Sequence, residues 1–396
     1  MRIGIDATFL EGAGRYTGMG VYTRGIARGL AAVVGDHDVF LLGYGERPAD
    51  LPESLRWERM RLLPVGRLGP WLSHQIVLPR VARRFGFDVV HVPGVNLRLS
   101  QPGVPIRLPC PLVVTVHDAI PRAYYGVQGP PLPWRLRQGY RIAMAAARRA
   151  DLVLTVSETS RRDLATHLAI DPERIRVVYN GVDLPPALTA HDQRDALARL
   201  GIATPYLFYA GSYEPRKNLL GVVAAYQSLL ARSDLPPLVA LVERQSGHRE
   251  AVLRAIERSG VGNRLRLVHS LSDDDLAALY RGALAFIYPS HYEGFGFTPL
   301  QALGCGVPVI AADAGALPEV LGDAARYVDP RNVEELARAI ADLIDRRDER
   351  ARLASRGPLQ ASRFRWDDAA RQTLQEYAGA VAARARTPAT TGSHGR

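Results

Sequence analysis

Short apolar runs alternate along this chain with longer stretches whose apolar positions recur every three or four residues. Runs of that length suit buried strands and the longer pattern suits amphipathic helices, so the alternation predicts βαβ units around a parallel sheet. In the first half, strands are expected at Arg2–Asp6, Val39–Gly43, Val89–Val92, Leu112–Val116 and Leu152–Val156. Helices are expected between them at Gly20–Val33, Trp71–Phe85, Trp134–Ala150 and Thr159–Leu168. The rhythm then breaks at Asn180-Gly181-Val182-Asp183-Leu184-Pro185-Pro186, a turn running into prolines, which marks a domain boundary. It restarts with strands at Tyr206–Ala210, Leu238–Leu241, Leu265–Val268, Ala285–Tyr288, Val307–Ala311 and Ala325–Val328. The second set of helices falls at Leu219–Ala231, Ala251–Ser259, Asp274–Arg281, Thr298–Leu303 and Val333–Arg346.

The expected architecture is therefore α/β, with two doubly wound Rossmann-like domains facing each other across a cleft, the first over 1–186 and the second over 187–365. A helix over 366–386 is expected to pack back on the first domain, and the small polar tail 387–396 to be disordered. A length of 396 residues agrees with two cores rather than one.

Composition narrows the class. Apolar residues make up 47% and charged residues 23%, the balance of a globular enzyme. The first apolar run is too short for a signal peptide and no run reaches 18 residues, so a cytoplasmic chain is expected. Cys110 and Cys305 stand far apart without metal-ligand spacing, as in a reduced protein. The net charge of +10 raises nucleic acid, but no RNP-like aromatic pattern, zinc spacing or basic arm accompanies it, and no nucleic acid is expected as partner. Arginines cluster at Arg80, Arg83 and Arg84, at Arg135, Arg137 and Arg141, and at Arg148 and Arg149. Solvated helix faces explain such runs; contact with a membrane surface or an anionic acceptor is the alternative, which the helix Trp71–Phe85 permits.

Against that arginine background the chain has a single lysine, Lys217, in "GSYEPRKNL". The strand before it ends at Gly211 and the helix after it begins near Leu219, so Arg216 and Lys217 stand at the carboxyl edge of the sheet, where ligands bind. A guanidinium grips phosphate oxygens as a fork and an ammonium acts as a compact point donor. Asn218 is expected to cap the helix. A second segment, "SHYEGFGFTPLQALGCGVPVIAADAGALPEV", reads as a Gly-rich loop with Thr298 as N-cap and Pro299 as first helical residue. The N–H groups of Gly296, Phe297 and Thr298 would then face an anion, with the Glu293 carboxylate beside it suited to hydroxyl groups. Asp273-Asp274-Asp275 is read as the first turn of a helix capped by Ser272 and not as a metal site. The N-terminal glycines miss the spacing of a nicotinamide dinucleotide loop, and Cys305 reads as a small packed residue.

Six motifs in order carry a resemblance over nearly the whole chain: "TGMGVYTR" at 17–24, "VTVHD" at 114–118, "DLVLTVSETSRRDL" at 151–164, "VVYNGVD" at 177–183, "EPRKN" at 214–218 and "PSHYEGFGFTPLQALGCGVPVIA" at 289–311. The chain resembles the family GT4 glycosyltransferases, retaining enzymes of the two-domain GT-B fold that use nucleotide sugars. The resemblance implies that Arg216 and Lys217 bind the donor pyrophosphate and stabilise the leaving group, and that Gly296, Phe297 and Thr298 add backbone donors. It implies that Glu293 holds sugar hydroxyls, and that Gly18, Gly20 and Gly211 lie close to the donor. His117 would reach the sugar, with Asp118 orienting it. Acceptor contacts would come from around His91–Asn96 and Tyr124–Trp134, with Asp118, Asn96 and Tyr124 on the acceptor side.

One position departs from the family pattern. The second glutamate, which accepts bonds from the ribose hydroxyls, is replaced by Gln301, a neutral acceptor. The family mechanism needs neither metal nor other cofactor. The first expectation for the donor is GDP-mannose, with UDP-glucose or UDP-N-acetylglucosamine as alternatives, and the acceptor is a glycan, a lipid-linked molecule or a small molecule. A sugar-nucleotide epimerase of the same architecture and a non-catalytic nucleotide-sugar binder stay open at this point.

Overall fold

The computed structural model describes residues 1–96, 98, 100–244 and 247–386; the tail expected to be disordered lies outside them. Contacts divide the chain into two compact units. The first comprises Met1–Pro121, Pro131–Gly181 and the segment from Arg365, and the second comprises Val182–Phe364 together with Arg122–Pro130. The short stretch 122–130 thus belongs with the second half of the chain although it is read as part of the first in sequence.

Among the described residues the first unit holds a seven-stranded sheet: β1 (Arg2–Asp6), β2 (Asp38–Gly43), β3 (Arg56–Arg59), β4 (Val89–Val92), β5 (Leu112–Thr115), β6 (Leu152–Thr155) and β7 (Ile175–Val177). All pairs are parallel, in the order β3-β2-β1-β4-β5-β6-β7. Every residue of β4, β5 and β6 is buried, which is why their apolar runs are continuous. Edge strand β3 reads Arg-Trp-Glu-Arg and is half-exposed; its charges hid it from the apolar pattern. The helices of this half are α1 (Gly18–Val33), α2 (Gly69–Phe85), the short α3 (Ile120–Ala123), α4 (Trp134–Ala147) and α5 (Glu158–Leu168).

The second unit repeats the plan with β8 (Tyr206–Ser212), β9 (Leu238–Arg244), β10 (Leu265–Val268), β11 (Ala283–Tyr288), β12 (Val309–Ala312) and β13 (Ala325–Val328), in the parallel order β10-β9-β8-β11-β12-β13. Its helices are α6 (Ala190–Arg199), α7 (Leu219–Ser228), α8 (Arg249–Arg258), α9 (Asp273–Gly282), α10 (Phe297–Gly304), α11 (Leu317–Leu321), α12 (Val333–Asp345) and α13 (Arg347–Ala361). Helices α6 and α13 were not expected from the pattern. α6 buries only Ala196 and Leu197 and starts from a Thr189 cap, while α13 opens on four charged residues and contains Gly357 and Pro358. Ser272 caps α9, its hydroxyl accepting from the Asp275 N–H at 3.1 Å.

Both sheets change direction of winding beside their first strand, between β1 and β4 and between β8 and β11. Loops leaving the carboxyl ends of those strands diverge, and ligands of doubly wound sheets bind in the gap. Among the described residues no helix is long and apolar enough to cross a membrane.

The final helix, α14 (Trp366–Arg386), belongs to the first unit. It docks because α1 has glycines where it arrives: a Cβ at Gly25 would collide with the Trp366 ring, and one at Gly29 with the Trp366 carbonyl oxygen. Overpacking of this kind costs ~1–3 kcal/mol, so Gly25→Ala is expected to lose about that much stability in denaturant melts. Gly18→Ala, whose Cβ would meet nothing within 4 Å, is the control. Equal melts for the two variants would rule out close packing as the reason for Gly25.

Candidate functional site

In the second unit, the loop after β8 and the loop after β11 meet at the winding change. Residues Pro215–Lys217 form one 3-10 turn, which is clipped to the other loop by its backbone. The Arg216 carbonyl accepts from the His291 N–H at 2.8 Å, and the Tyr209 hydroxyl donates to the Lys217 carbonyl at 3.1 Å. Asn218 follows in the left-handed conformation, φ 57°. It does not cap α7 with its side chain, contrary to expectation; its amide instead donates to the carbonyls of Pro289 and Pro330 at 3.1 and 2.7 Å. The asparagine ties three loops together.

That turn delivers two cations to one carboxylate oxygen. Glu293 Oε1 accepts from Lys217 Nζ at 2.7 Å, the Ser290 hydroxyl at 2.7 Å and the Tyr288 hydroxyl at 3.0 Å, and forms an ion pair with Arg216 Nη1 at 2.9 Å. Lys217 Nζ also donates to the Tyr288 hydroxyl at 2.6 Å and lies 5.1 Å from the centre of that ring. Arg216 Nη1 reaches the Tyr292 carbonyl at 2.7 Å, and its Nη2 stands 3.6 Å from Glu214. The side chains of Arg216, Lys217 and Glu293 are each less than a fifth exposed. Burial pushes the Glu293 carboxyl up, but the two cations outweigh it and hold it at about 2. Burial lowers the Lys217 ammonium, and Glu293 works against that. A compact ammonium fits between a phenol and a carboxylate in a way a flat guanidinium would not, which accounts for a lysine in an arginine-rich chain.

Beside this cluster, α10 begins at Phe297, with Gly296 at φ 104° in the cap position. The predicted cap, Thr298, lies one residue inside the helix with Pro299 after it, so no side chain caps α10. The N–H groups at a helix start have no intrahelical acceptor and carry the positive end of the helix dipole. A Cβ at Gly296 would stand 2.8 Å from Leu317, so both its φ and its space demand glycine. Gln301, further along α10, donates its amide to the Asp183 carbonyl at 2.9 Å, leaving its oxygen for another donor. Gly211 lies near the end of β8 where the register with β9 shifts. Tyr124, expected on the acceptor side, lies in the 122–130 stretch of this unit and stacks on His291 at 5.9 Å between ring centres.

The first unit carries His117, two residues beyond β5. Its Nε2 donates to the Pro93 carbonyl at 2.9 Å, and the Tyr22 ring meets it edge-on at 4.7 Å. Burial lowers the imidazole to about 4, partly offset by Pro93. It is therefore neutral at pH 7, with the proton on Nε2 and Nδ1 left as an acceptor suited to a hydroxyl. Asp118 accepts from the Ile120 N–H at 2.9 Å. Behind His117 runs a buried chain: the Tyr22 hydroxyl to Thr115 Oγ1 at 3.0 Å, Thr115 Oγ1 to His91 Nε2 at 2.7 Å, and His91 Nδ1 to the Tyr377 hydroxyl of α14 at 2.6 Å. His91 is fully buried with both ring nitrogens engaged, so it does not face an acceptor as the sequence suggested. Asn96 turns its amide to the Pro102 carbonyl at 2.8 Å. Gly20 has a packing reason, since a Cβ there would collide with the Gly14 carbonyl, whereas Gly18 opens on free space.

Sequence reasoning missed Tyr288, Ser290, Tyr209 and the buried chain behind His117. Tyrosine and serine at strand ends carry no signal of their own; only the fold aims them at Glu293.

The profile of the family described as "Glycosyltransferase Family 4" matches residues 16–185, and that described as "Glycosyl transferases group 1" matches residues 194–360. An O-antigen chain mannosyltransferase B from Escherichia coli is 32% identical over 58% of this chain, which spans 60% of that relative's length. A D-inositol 3-phosphate glycosyltransferase from Acidothermus cellulolyticus is 30% identical over 96% of this chain and 89% of its own. Among solved structures, HepE from Anabaena in complex with UDP-glucose superposes with a TM-score of 0.73 at 18% identity, over 96% of this chain and all of that one.

The charge cluster makes a stability prediction. The Glu293 carboxyl titrates at about 2 when folded and at roughly 4.3 when unfolded, so the native state binds fewer protons between those values. Its contribution is complete above the unfolded value and is lost as pH falls through the folded one. Glu293→Gln strands two cations and is expected to cost ~3–5 kcal/mol at pH 7, a deficit that narrows as the pH is lowered from 5 toward 2. Denaturant melts at three pH values check this; a pH-independent deficit would remove the ionised carboxylate from the account.

Proposed function

We propose a reaction for this chain from one premise: it belongs to the family 4 glycosyltransferases. Glycosyl transfer is then the activity, and the two Rossmann-like units are those of the GT-B fold. The finer reading is transfer of a hexosyl unit from a nucleoside-diphosphate sugar to an acceptor hydroxyl with the anomeric configuration retained. The supporting observation is the pair Arg216 and Lys217, held by one oxygen of Glu293 at the winding change of the second sheet. Two oriented cations beside a helix start are what a departing diphosphate requires, because negative charge grows on it in the transition state.

On this reading the bond between the anomeric carbon and the phosphate oxygen breaks while the acceptor oxygen bonds to that carbon on the same face. The acceptor proton passes to the departing phosphate, whose charge Arg216 and Lys217 take up. No step calls on a metal. Glu293 Oε1 is engaged by three hydrogen-bond donors and the Arg216 guanidinium, so its second oxygen is the one this reading assigns to sugar hydroxyls. His117 Nδ1 is assigned to a sugar hydroxyl as acceptor. Gly18 and Gly211 are the glycines assigned to close approach, with Phe297 and Thr298 supplying backbone donors. Gln301 takes the ribose through its carbonyl oxygen. Mannose on GDP is the first donor to test, with the name of the Escherichia coli relative in its support; the UDP-glucose held by HepE makes UDP sugars the comparison.

The test is thermal shift against a panel of nucleoside diphosphates and their sugars, followed by product stereochemistry with the donor that binds. Wild type is expected to shift with one nucleotide, and Lys217→Ala to lose most of that shift. An undiminished shift in Lys217→Ala would remove the lysine from the donor site. Inverted product would sink same-face attack. Gln301→Glu should tighten donor binding by about tenfold, because a carboxylate accepts the ribose hydroxyls with charge assistance. It also breaks the amide bond to Asp183, a loss of about 0.5–1.5 kcal/mol in stability. Unchanged donor affinity would take Gln301 away from the ribose.

A further inference from the structure

The first unit contains a cavity of about 230 Å³ between the start of α2, the loop after β4 and the outer face of α4. Its walls are mostly apolar: Trp71 from α2, Val104 and Ile106 from the loop, and Ile142 and Ala146 from α4. Gly139 and the alanines of α4 leave room where longer side chains would fill it. The cavity is smaller than the roughly 300–1,000 Å³ of pockets that enclose a whole drug-sized ligand, so it takes part of a molecule and leaves the rest outside. Two cations, Arg98 and Arg149, stand on its lining, and among the described residues neither has a carboxylate partner. Ile106 and Ile142 keep about two-fifths of their surface exposed beside them.

The charge is not a local accident. Between Met60 and Ala150 the chain has thirteen arginines and only two acidic residues, Asp88 and Asp118. An apolar hollow rimmed by uncompensated guanidinium groups matches a molecule that joins a hydrocarbon chain to a phosphate. A neutral lipid would leave the arginines without a partner, and a free phosphate would leave the apolar walls wet.

We propose that this cavity anchors the acceptor, and that the acceptor is a glycan or alcohol carried on a lipid phosphate. The inference rests on the reading above that His117 serves the transfer site. One loop joins the two places: it leaves β4 at Pro93, whose carbonyl accepts from His117 Nε2, and runs through Asn96, Arg98 and Gly103 along the cavity. A lipid held there by its chain and phosphate brings what is attached to it toward His117 along that loop. Asn96, whose amide is fixed to the Pro102 carbonyl, keeps the loop in place under the anchor.

The test measures direct binding of farnesyl monophosphate to the full chain by titration calorimetry, below its critical micelle concentration, against farnesol and inorganic phosphate. Farnesyl monophosphate is expected to bind saturably, and each comparison compound to bind at least about tenfold more weakly. Arg149→Glu and Ile142→Asp change exposed side chains and should each weaken it by about tenfold while leaving the nucleotide-induced thermal shift unchanged. Equal binding of farnesol would remove the phosphate from the inference, and equal binding of inorganic phosphate would remove the chain. Unaltered affinity in both variants would place the lipid elsewhere. Association with anionic vesicles but not with monomeric farnesyl monophosphate would make the patch a membrane-contact surface instead of an acceptor anchor. Loss of the nucleotide shift in wild type would instead count against the donor reading, so the two failures are separable.

Discussion

The Glu293 carboxylate oxygen that receives Lys217, Arg216, Ser290 and Tyr288 is the contact on which the arrangement of the second unit's strand-end loops depends. Two positive charges this close together repel, and both are largely out of water. Without an anion between them the loop after β8 would be driven apart, since a buried unpaired charge costs several kcal/mol. The carboxylate holds them at fixed places, and on the proposed reading such preorganised cations spend little on reorientation when negative charge develops nearby.

The backbone makes that arrangement possible. The chain turns at Pro215–Lys217 and again at the left-handed Asn218, and the second loop clips onto it through the Arg216 carbonyl. Both loops spring from neighbouring parallel strands, β8 and β11, whose carboxyl ends share one edge. Residues 71 to 76 apart in sequence therefore lie within hydrogen-bond distance. The first unit uses the same geometry differently. There, strand-end residues from β4 and β5 join α1 and the last helix through Tyr22, Thr115, His91 and Tyr377, and the ring of Tyr22 fixes the face of His117.

Much of this was legible beforehand. Continuous apolar runs such as Leu112–Thr115 and Leu152–Thr155 announced buried parallel strands, because a strand covered on both faces has no polar side to disguise it. Strand β3 and helices α6 and α13 were hidden for the opposite reason: they border solvent and carry charges in place of an apolar face. Arg216, Lys217, Glu293 and His117 stood out through their positions at strand ends. The helix caps did not. Asn218 and Thr298 have the right chemistry for an N-cap, yet the first is drawn off by two carbonyls and the second sits past a glycine that starts the helix.

The amino-acid order alone determined two doubly wound sheets and which loops end at their carboxyl edges, because strand burial and turn chemistry are local and repeat along the chain. Only the tertiary structure decided which atoms meet. It showed that one oxygen of Glu293 serves three hydrogen-bond donors and a guanidinium, and that His91 is sealed between Thr115 and Tyr377. It also placed Tyr124 against His291 and opened an apolar hollow lined by Arg98 and Arg149. Such contacts depend on side-chain directions at junctions between strands far apart in sequence. A periodic pattern carries no record of those directions.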